Sequence, residues 1–198
     1  MALLIFVIIA CGRHDGAGAH DADTGRRAMA MAKDSSSPSV TSLAVTSTAF
    51  RNGDAIPTQY TCDGADESPP LAWSGAPKNT AAYALLVEDP DAPGGTFIHW
   101  VIYDIPVAAS SLPEGIAKGE TVSALGGARQ GRTGFKGTYG YGGPCPPRGP
   151  AHHYHFRLFA LDKTLGIPAG ASRDDVMAAM RGHELARGEL VGTYARQK

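Results

Sequence analysis

Short apolar runs separated by turn residues recur along the chain from residue 41 onward, and this pattern predicts strands joined by turns. The segment 68–75 is bounded by prolines and is expected to be extended, whereas the many glycines and prolines of 106–150 predict a long loop region. Strands do not alternate with helices, so nothing indicates a parallel sheet. The fold class is therefore predicted to be mainly β, an antiparallel β-sandwich with a peripheral helix. The predicted strands are 43–47, 81–87, 97–104, 153–161 and 189–194.

One helix is predicted after residue 172. Ser172 is a good N-cap residue, and Asp175 follows three positions later, where a carboxylate interacts favourably with the positive end of a helix. Val176, Met180 and His183 then share one stripe of the helix surface.

The apolar run at residues 1–11 has the length of the hydrophobic region of a signal peptide and is too short to span a bilayer as a helix. It ends at Cys11, a position similar to the acylated cysteine of a bacterial lipoprotein. Residues 12–40 show no periodicity and are expected to form a flexible linker ahead of one domain at 41–198. We expect an exported protein, periplasmic or anchored as a lipoprotein. If the signal-like segment is not functional, it is a disordered apolar terminus and the protein is cytoplasmic.

The charge of the chain excludes two classes of partner. The net charge is −1, and no basic run with interleaved aromatic residues is present. Neither a nucleic acid nor an anionic membrane surface is therefore expected as a partner. Contact with a membrane is expected only through the N-terminal anchor.

Besides Cys11, the chain has two cysteines, Cys62 and Cys145, both in turn-rich segments. An even pair in an exported domain predicts a disulfide. The alternative is a pair of reduced, buried thiols, which applies if the chain is not exported.

The first candidate for binding chemistry is the turn at 89–95, where Asp89 and Asp91 alternate with prolines that stiffen the backbone. His99 follows on a predicted strand. Alternation along that strand places Phe97, His99, Val101 and Tyr103 on one face, opposite Trp100 and its neighbours. We expect a partly buried imidazole there with Asp89 or Asp91 as its partner. A simple turn beside a hydrogen-bonded core histidine is the alternative.

The second candidate is the proline-rich segment 143–150 and the strand that follows it. Alternation directs His152 and Tyr154 towards the core, and His153 and His155 towards a more exposed face. Two inward imidazoles, a phenol and a carboxylate form a suitable site for a phosphate-like anion.

Taken together these segments resemble the phosphatidylethanolamine-binding protein family, and within it the bacterial Raf-kinase-inhibitor-like (YbhB/YbcL-type) branch. The resemblance covers essentially all of 41–196. The motifs that carry it are DPDAP at 89–93, HW at 99–100, GPCPP at 143–147, HHYHF at 152–156, FALD at 159–162 and GHELARGELVGTY at 182–194.

The resemblance implies a β-sandwich with Greek-key connections, a small number of peripheral helices, and a small pocket for phosphate, acetate or a phosphorylated head group. The family usually has arginine where this chain has His153, and the segment between Pro147 and His152 is shorter here, so the rim of the pocket is expected to differ. The residues that match the pocket of the family are Asp89, Asp91, Pro93, His99, Pro147, His152 and Tyr154.

The sequence lacks the motifs of a hydrolase and of a metal enzyme. A hydrolase needs a nucleophile beside a base, but the chain has no G-x-S-x-G motif, and Cys145 lies between prolines. No H-E-x-x-H or paired C-x-x-C spacing indicates a metal enzyme. Inhibition of a protease or kinase, through the pocket or a surface loop, is the main alternative. We expect a binding protein for a small anion or phospholipid head group, with no catalytic residue, metal or cofactor.

Overall fold

The computed structural model describes residues 41–136 and 138–196. The signal-like segment 1–11 with Cys11 and the predicted linker 12–40 lie outside the described residues.

In the described part of the chain, ten strands form two sheets. The larger sheet has seven strands in the order β1-β10-β9-β4-β5-β8-β7, and the smaller has three in the order β2-β3-β6. All pairs are antiparallel except β1 with β10. The mainly β fold class is thereby confirmed. The strands are β1 Thr41–Ser42, β2 Ala44–Thr46, β3 Leu71–Ser74, β4 Ala82–Asp89, β5 Phe97–Pro106, β6 Ser111–Leu112, β7 Thr121–Val122, β8 Ala128–Gln130, β9 His152–Leu161 and β10 Glu184–Tyr194.

Strand β4 lies in the middle of the larger sheet and is buried at every position. One core lies between the two sheets and contains Trp100, Phe156 and Leu158. A second core covers the other face of the larger sheet, where Val176 packs with Phe159. Because both faces of β4 are covered, its sequence from Ala82 to Val87 is a continuous apolar run and not an alternating one.

The helix α1, Arg173–Met180, begins as predicted. Ser172 and Asp175 form a capping box, in which each side chain accepts a hydrogen bond from the backbone N–H of the other residue. The prediction that His183 belongs to the helix stripe is wrong, because the helix ends at Met180 and Gly182 adopts a positive φ of 77°. In the described ranges no helix is long and apolar enough to cross a membrane.

The segment 106–150, predicted as loop, contains the short strands β6, β7 and β8. A buried side chain holds it in place: Gln130 accepts a hydrogen bond from Trp100 Nε1 at 2.7 Å and donates to the carbonyl oxygens of Ala117 and Gly119. These strands are three residues or fewer, and β6 and β8 pair with strands distant in sequence, so local periodicity does not reveal them.

The register of β5 against β4 shifts at His99. Val87 pairs with Trp100 and Glu88 pairs with Ile98, which leaves His99 as an extra residue in β5. Such a bulge redirects a side chain. The predicted common face of His99 with Val101 and Tyr103 is therefore wrong, since those two residues lie in the second core while the His99 ring contacts Tyr154 of the first.

Candidate functional site

A small cavity of about 140 Å³ lies where β4 ends, β5 begins and β9 begins. Five of the residues predicted for the pocket line it, and the prolines of both motifs form part of its wall. The lining residues are Asp89, Ala92, Pro93, Phe97, His99, Phe135, Cys145, Pro146, Pro147 and His152.

Asp89 and His152 form a nearly buried pair. His152 Nδ1 lies 2.8 Å from Asp89 Oδ2, and the two side chains are 12% and 4% exposed. The other carboxylate oxygen of Asp89 accepts a hydrogen bond from the backbone N–H of Asp91 at 2.8 Å. Because a carboxylate accepts and does not donate, His152 carries its proton on Nδ1. The Nε2 atom of His152 is left for a ligand.

The hydrogen-bond partner of His99 differs from the predicted one. Its partner is neither Asp89 nor Asp91 but the carbonyl oxygen of Gly142, at 2.7 Å from Nδ1. A carbonyl oxygen only accepts, so Nδ1 of His99 also carries the proton and Nε2 is left without a partner among the described residues. Burial lowers the pKa of His99, although the Gly142 hydrogen bond and the charge of Asp89 act in the opposite direction.

Three aromatic rings surround the His99 imidazole. Ring centroids of Phe97, Tyr154 and Phe135 lie 5.0, 5.1 and 5.6 Å from that of His99. Sequence reasoning missed Phe97 and Phe135 as pocket residues. Strand alternation could have identified Phe97, because it lies two positions before His99 on the same strand. Phe135 lies in a glycine-rich segment with no periodic pattern, and no sequence signal indicates it.

Tyr154 is fully buried beneath the site. Its hydroxyl has no hydrogen-bond partner among the described residues. Burial and the negative charge of Asp89 both raise the pKa of Tyr154, so the hydroxyl stays protonated. The hydroxyl is enclosed beside the Asp89 carboxylate, and Tyr154, although predicted for the pocket, is not among the residues that line the cavity.

Asp91 was predicted in the pocket but is directed away from it. Its carboxylate accepts hydrogen bonds from the backbone N–H and from Nδ1 of His153, at 2.9 and 2.7 Å. These hydrogen bonds hold the pKa of Asp91 below its usual value. The two side chains are 42% and 55% exposed, so Asp91 and His153 form a hydrogen-bonded pair at the rim, which joins the turn that carries Asp89 to the start of β9.

A disulfide joins Cys62 to Cys145 across 83 residues of sequence. Cys145 lines the cavity, so the disulfide ties its wall to the turn that follows Thr58–Tyr60. Two hydrogen bonds reinforce this connection: the Cys62 N–H donates to the Pro144 carbonyl, and the Gly143 N–H donates to Asp66 Oδ1 at 2.6 Å.

A larger cavity of about 510 Å³ lies on the outer face of the seven-stranded sheet, but its central charged groups are paired with one another. The Glu88 side chain, 1% exposed, accepts hydrogen bonds from Arg157 and Arg173, both at 2.7 Å. Arg157 also pairs with Glu189. The smaller cavity, with two imidazole nitrogens available, is therefore the better candidate for a polar ligand. Within 41–136 and 138–196, no group of three or more His, Cys, Asp or Glu residues is placed to hold a metal ion.

Comparisons with known proteins bear on the family and the fold of the chain. The family model described as phosphatidylethanolamine-binding protein matches residues 46–195. A UPF0098 protein of Aquifex aeolicus is 49% identical over 156 residues, which are 78% of this chain and 89% of that protein. LppC of Mycobacterium tuberculosis, whose name marks it as a candidate lipoprotein, is 34% identical over 95% of this chain and 91% of its own length.

Solved structures give the same result. Escherichia coli YbcL, described as a member of the mammalian phosphatidylethanolamine-binding protein family, superposes with a TM-score of 0.72 at 32% identity, covering 80% of this chain and 99% of its own. A Chlamydia trachomatis homologue of the same family gives a TM-score of 0.71 at 37% identity, covering 79% of this chain and 99% of its own. The chain belongs to the phosphatidylethanolamine-binding protein family.

Proposed function

We propose that this protein binds a small anion, phosphate or a phosphorylated head group such as phosphoethanolamine, between His99 and His152. One observation carries the proposal: both rings have Nδ1 engaged, by Gly142 and by Asp89, so that both Nε2 atoms are available beside one small cavity. Tyr154 packs edge-on against the His99 ring and supports it from within the core.

Protonation connects this geometry to anion binding. In a neutral imidazole with its proton on Nδ1, Nε2 accepts a hydrogen bond and does not donate one. When the ring is protonated, Nε2 donates and the ring carries a positive charge, which pairs with an anion. Asp89 orients the His152 ring through their hydrogen bond, so that Nε2 faces away from the carboxylate. Binding of an anion is therefore expected to be accompanied by uptake of protons.

We propose binding without catalysis. The described lining of the cavity contains no serine, threonine or lysine, and its cysteine is part of the disulfide. The carboxylate of Asp89 is already engaged by His152 and by the Asp91 N–H. These residues are suited to hold an anion, whereas an activated nucleophile beside a base is what hydrolysis requires.

Anion affinity is expected to fall as pH rises. The pKa of His99 is lowered in the free protein, and a bound anion raises it again, so protons are taken up on binding between the two values. Affinity should then decrease by on the order of tenfold per pH unit for each proton taken up. The measurement is isothermal titration calorimetry with sulfate from about pH 5 to about pH 8, since the charge of sulfate is constant over this range.

The variant His153→Ala serves as the control, because His153 is exposed and its partner is the rim residue Asp91. It should retain the pH profile of the wild type. Sulfate affinity that did not change across the range would contradict the role given to the two imidazoles.

We also propose that the protein is exported and lipid-anchored at Cys11. Two findings support this: the match with LppC extends over 95% of this chain, and a disulfide is the kind of bond that persists in oxidising compartments. Expressed in a bacterium supplied with a radioactive fatty acid, the full chain should incorporate label. The variant Cys11→Ser should not, and equal labelling of both would rule out this anchor.

A further inference from the structure

The peptide group between Gly142 and Gly143 is hydrogen-bonded at both of its polar atoms. Its carbonyl oxygen, on Gly142, accepts from Nδ1 of His99 at 2.7 Å. Its N–H, on Gly143, donates to Oδ1 of Asp66 at 2.6 Å. Because the C=O and the N–H of a trans peptide point in opposite directions, Asp66 and His99 lie on opposite sides of one rigid unit. A carboxylate is thereby connected to the imidazole through a single peptide group.

This peptide has little restraint of its own, because a glycine lies on each side of it. Residues without a Cβ atom have the greatest backbone freedom. Packing requires both glycines: a Cβ on residue 142 would lie 2.4 Å from the Phe135 ring, and one on residue 143 would lie 2.4 Å from the Tyr60 carbonyl oxygen. A contact from outside the segment is therefore needed to fix the carbonyl that His99 uses.

Other contacts hold the neighbouring peptides of the same segment. The Gly142 N–H donates to the His99 carbonyl at 2.9 Å, and the Cys62 N–H donates to the Pro144 carbonyl at 3.1 Å. These hydrogen bonds act on the peptide before and on a peptide after the one that His99 uses. Among the described residues, Asp66 is the partner that engages the N–H of the 142–143 peptide itself.

Asp66 is well suited to this position. Its φ of 56° lies in the left-handed region, where aspartate and asparagine occur more often than most other residues. Its second carboxylate oxygen, Oδ2, accepts a hydrogen bond from Lys118. Both oxygens are thus engaged, one by the buried backbone of Gly143 and one by an exposed lysine.

The charge of Asp66 also acts on His99. Burial lowers the pKa of His99, whereas the Gly142 hydrogen bond and the charges of Asp89 and Asp66 raise it. Hydrogen bonds in a chain polarise one another, so a peptide whose N–H is bound to a carboxylate has a carbonyl that accepts more strongly. The charged and titratable groups around the ring are Asp89 of β4, His152 and Tyr154 of β9, and Asp66 with its partner Lys118.

We propose that Asp66 is a positioning residue of the anion pocket, which acts on His99 through the peptide between Gly142 and Gly143. The carboxylate fixes the carbonyl that keeps the proton of the neutral ring on Nδ1, so that Nε2 stays available to the anion. His99 thereby has an acidic partner one peptide away, whereas His152 has Asp89 as a direct partner. The inference rests on the proposed function, because it concerns an imidazole of the same pocket.

Two variants separate the hydrogen bond of Asp66 from its charge. Asp66→Asn keeps an oxygen acceptor and tolerates the same backbone conformation, but it removes the charge. Asp66→Gly removes both, and glycine adopts a positive φ without strain. The matched control is Glu67→Gln, which removes a charge of the same sign from the next residue, an exposed side chain that is not a partner of this peptide within the described residues.

Nitrogen-15 NMR of the full chain, labelled at histidine, measures the tautomer and the pKa of His99, whose signal is identified by its loss in His99→Gln. Asp66→Asn should keep the Nδ1–H tautomer and lower the pKa of His99. Asp66→Gly should lower this pKa further and give a mixture of both tautomers, because the carbonyl is no longer fixed. The pKa of His152 should stay close to its wild-type value in both, since Asp89 remains its partner.

Sulfate affinity should fall together with the pKa of His99. By calorimetry near pH 6, Asp66→Gly should bind sulfate about tenfold more weakly than the wild type, the order of magnitude that one hydrogen bond contributes. Asp66→Asn should bind about threefold more weakly, because its oxygen acceptor remains. Glu67→Gln should keep the wild-type affinity. The same comparison in a Lys118→Ala background removes any effect of an unpaired lysine charge.

The results distinguish the role of Asp66 from anion binding itself. A wild type that binds no sulfate overturns the proposed function, whatever the NMR signals of the free protein show. Sulfate binding with a His99 pKa and tautomer that are unchanged in Asp66→Gly, or that shift equally in Glu67→Gln, overturns the role of Asp66 alone. Circular dichroism establishes that each variant is folded, and if Asp66→Gly is not, the pKa of His99 in Asp66→Asn decides.

Discussion

Replacing both Cys62 and Cys145 by serine is expected to lower the free energy of unfolding by about 4–5 kcal/mol. The disulfide closes a loop with a sequence separation of 83 residues, and chain-entropy arguments assign a stabilisation of about this size to such a loop. Most of the effect acts on the unfolded chain, because hydrogen bonds from Cys62 to Pro144 and from Gly143 to Asp66 hold the same segments together in the folded state. Urea denaturation followed by circular dichroism measures it.

Reduction provides the control for this prediction. A dithiol reductant should destabilise the wild type by a similar amount and should leave the double variant unaffected. The variant Cys11→Ser retains the disulfide and should have wild-type stability. A double variant within about 1 kcal/mol of the wild type would mean that native packing, and not the cross-link, determines the stability of these loops.

Replacing His152 by alanine is expected to reduce phosphate affinity by about 10- to 100-fold. A hydrogen bond to a charged group contributes roughly 1.5–3 kcal/mol, and each 1.4 kcal/mol corresponds to a factor of about ten. The variant removes one of the two imidazole donors and leaves the nearly buried carboxylate of Asp89 without its side-chain partner. The uncompensated charge of Asp89 then repels an anion as well. Calorimetry with inorganic phosphate near pH 6 measures the loss.

His153→Ala is the matched control, because it removes a neighbouring imidazole that is exposed and lies outside the cavity. It should bind phosphate with affinity within about threefold of the wild type, since an exposed ion pair contributes only about 0–1 kcal/mol. The double variant His152→Ala with Asp89→Asn should bind better than the sum of the single losses predicts, because the two residues act as a pair. If His152→Ala bound phosphate with wild-type affinity, the anion would have to bind at a different site, and the role given to His152 would be wrong.

Strand periodicity predicted much of this site. The alternation along 152–156 placed His152 and Tyr154 inward and His153 outward, and the structure has Tyr154 buried and His153 exposed. This succeeded because β9 pairs with β10 in a regular register over that whole segment, so successive side chains do alternate.

The same reasoning failed at His99, where β5 has one residue more than β4. A bulge is a property of two paired strands, and the sequence of one strand does not contain it. The partner of His99 was also beyond prediction, because the Gly142 carbonyl is 43 residues away along the chain.

The sequence by itself determined the mainly β class, the capped start of the helix and the two motifs that supply Asp89, His152 and Tyr154. These features depend on side-chain alternation and on local backbone chemistry, which neighbouring residues specify. Only the tertiary structure decided that Asp89 pairs with His152, that Asp91 turns to the rim, and that Phe135 closes one side of the pocket. Such contacts join segments that are distant along the chain, and only the packing of the two sheets and their loops sets the distances between them.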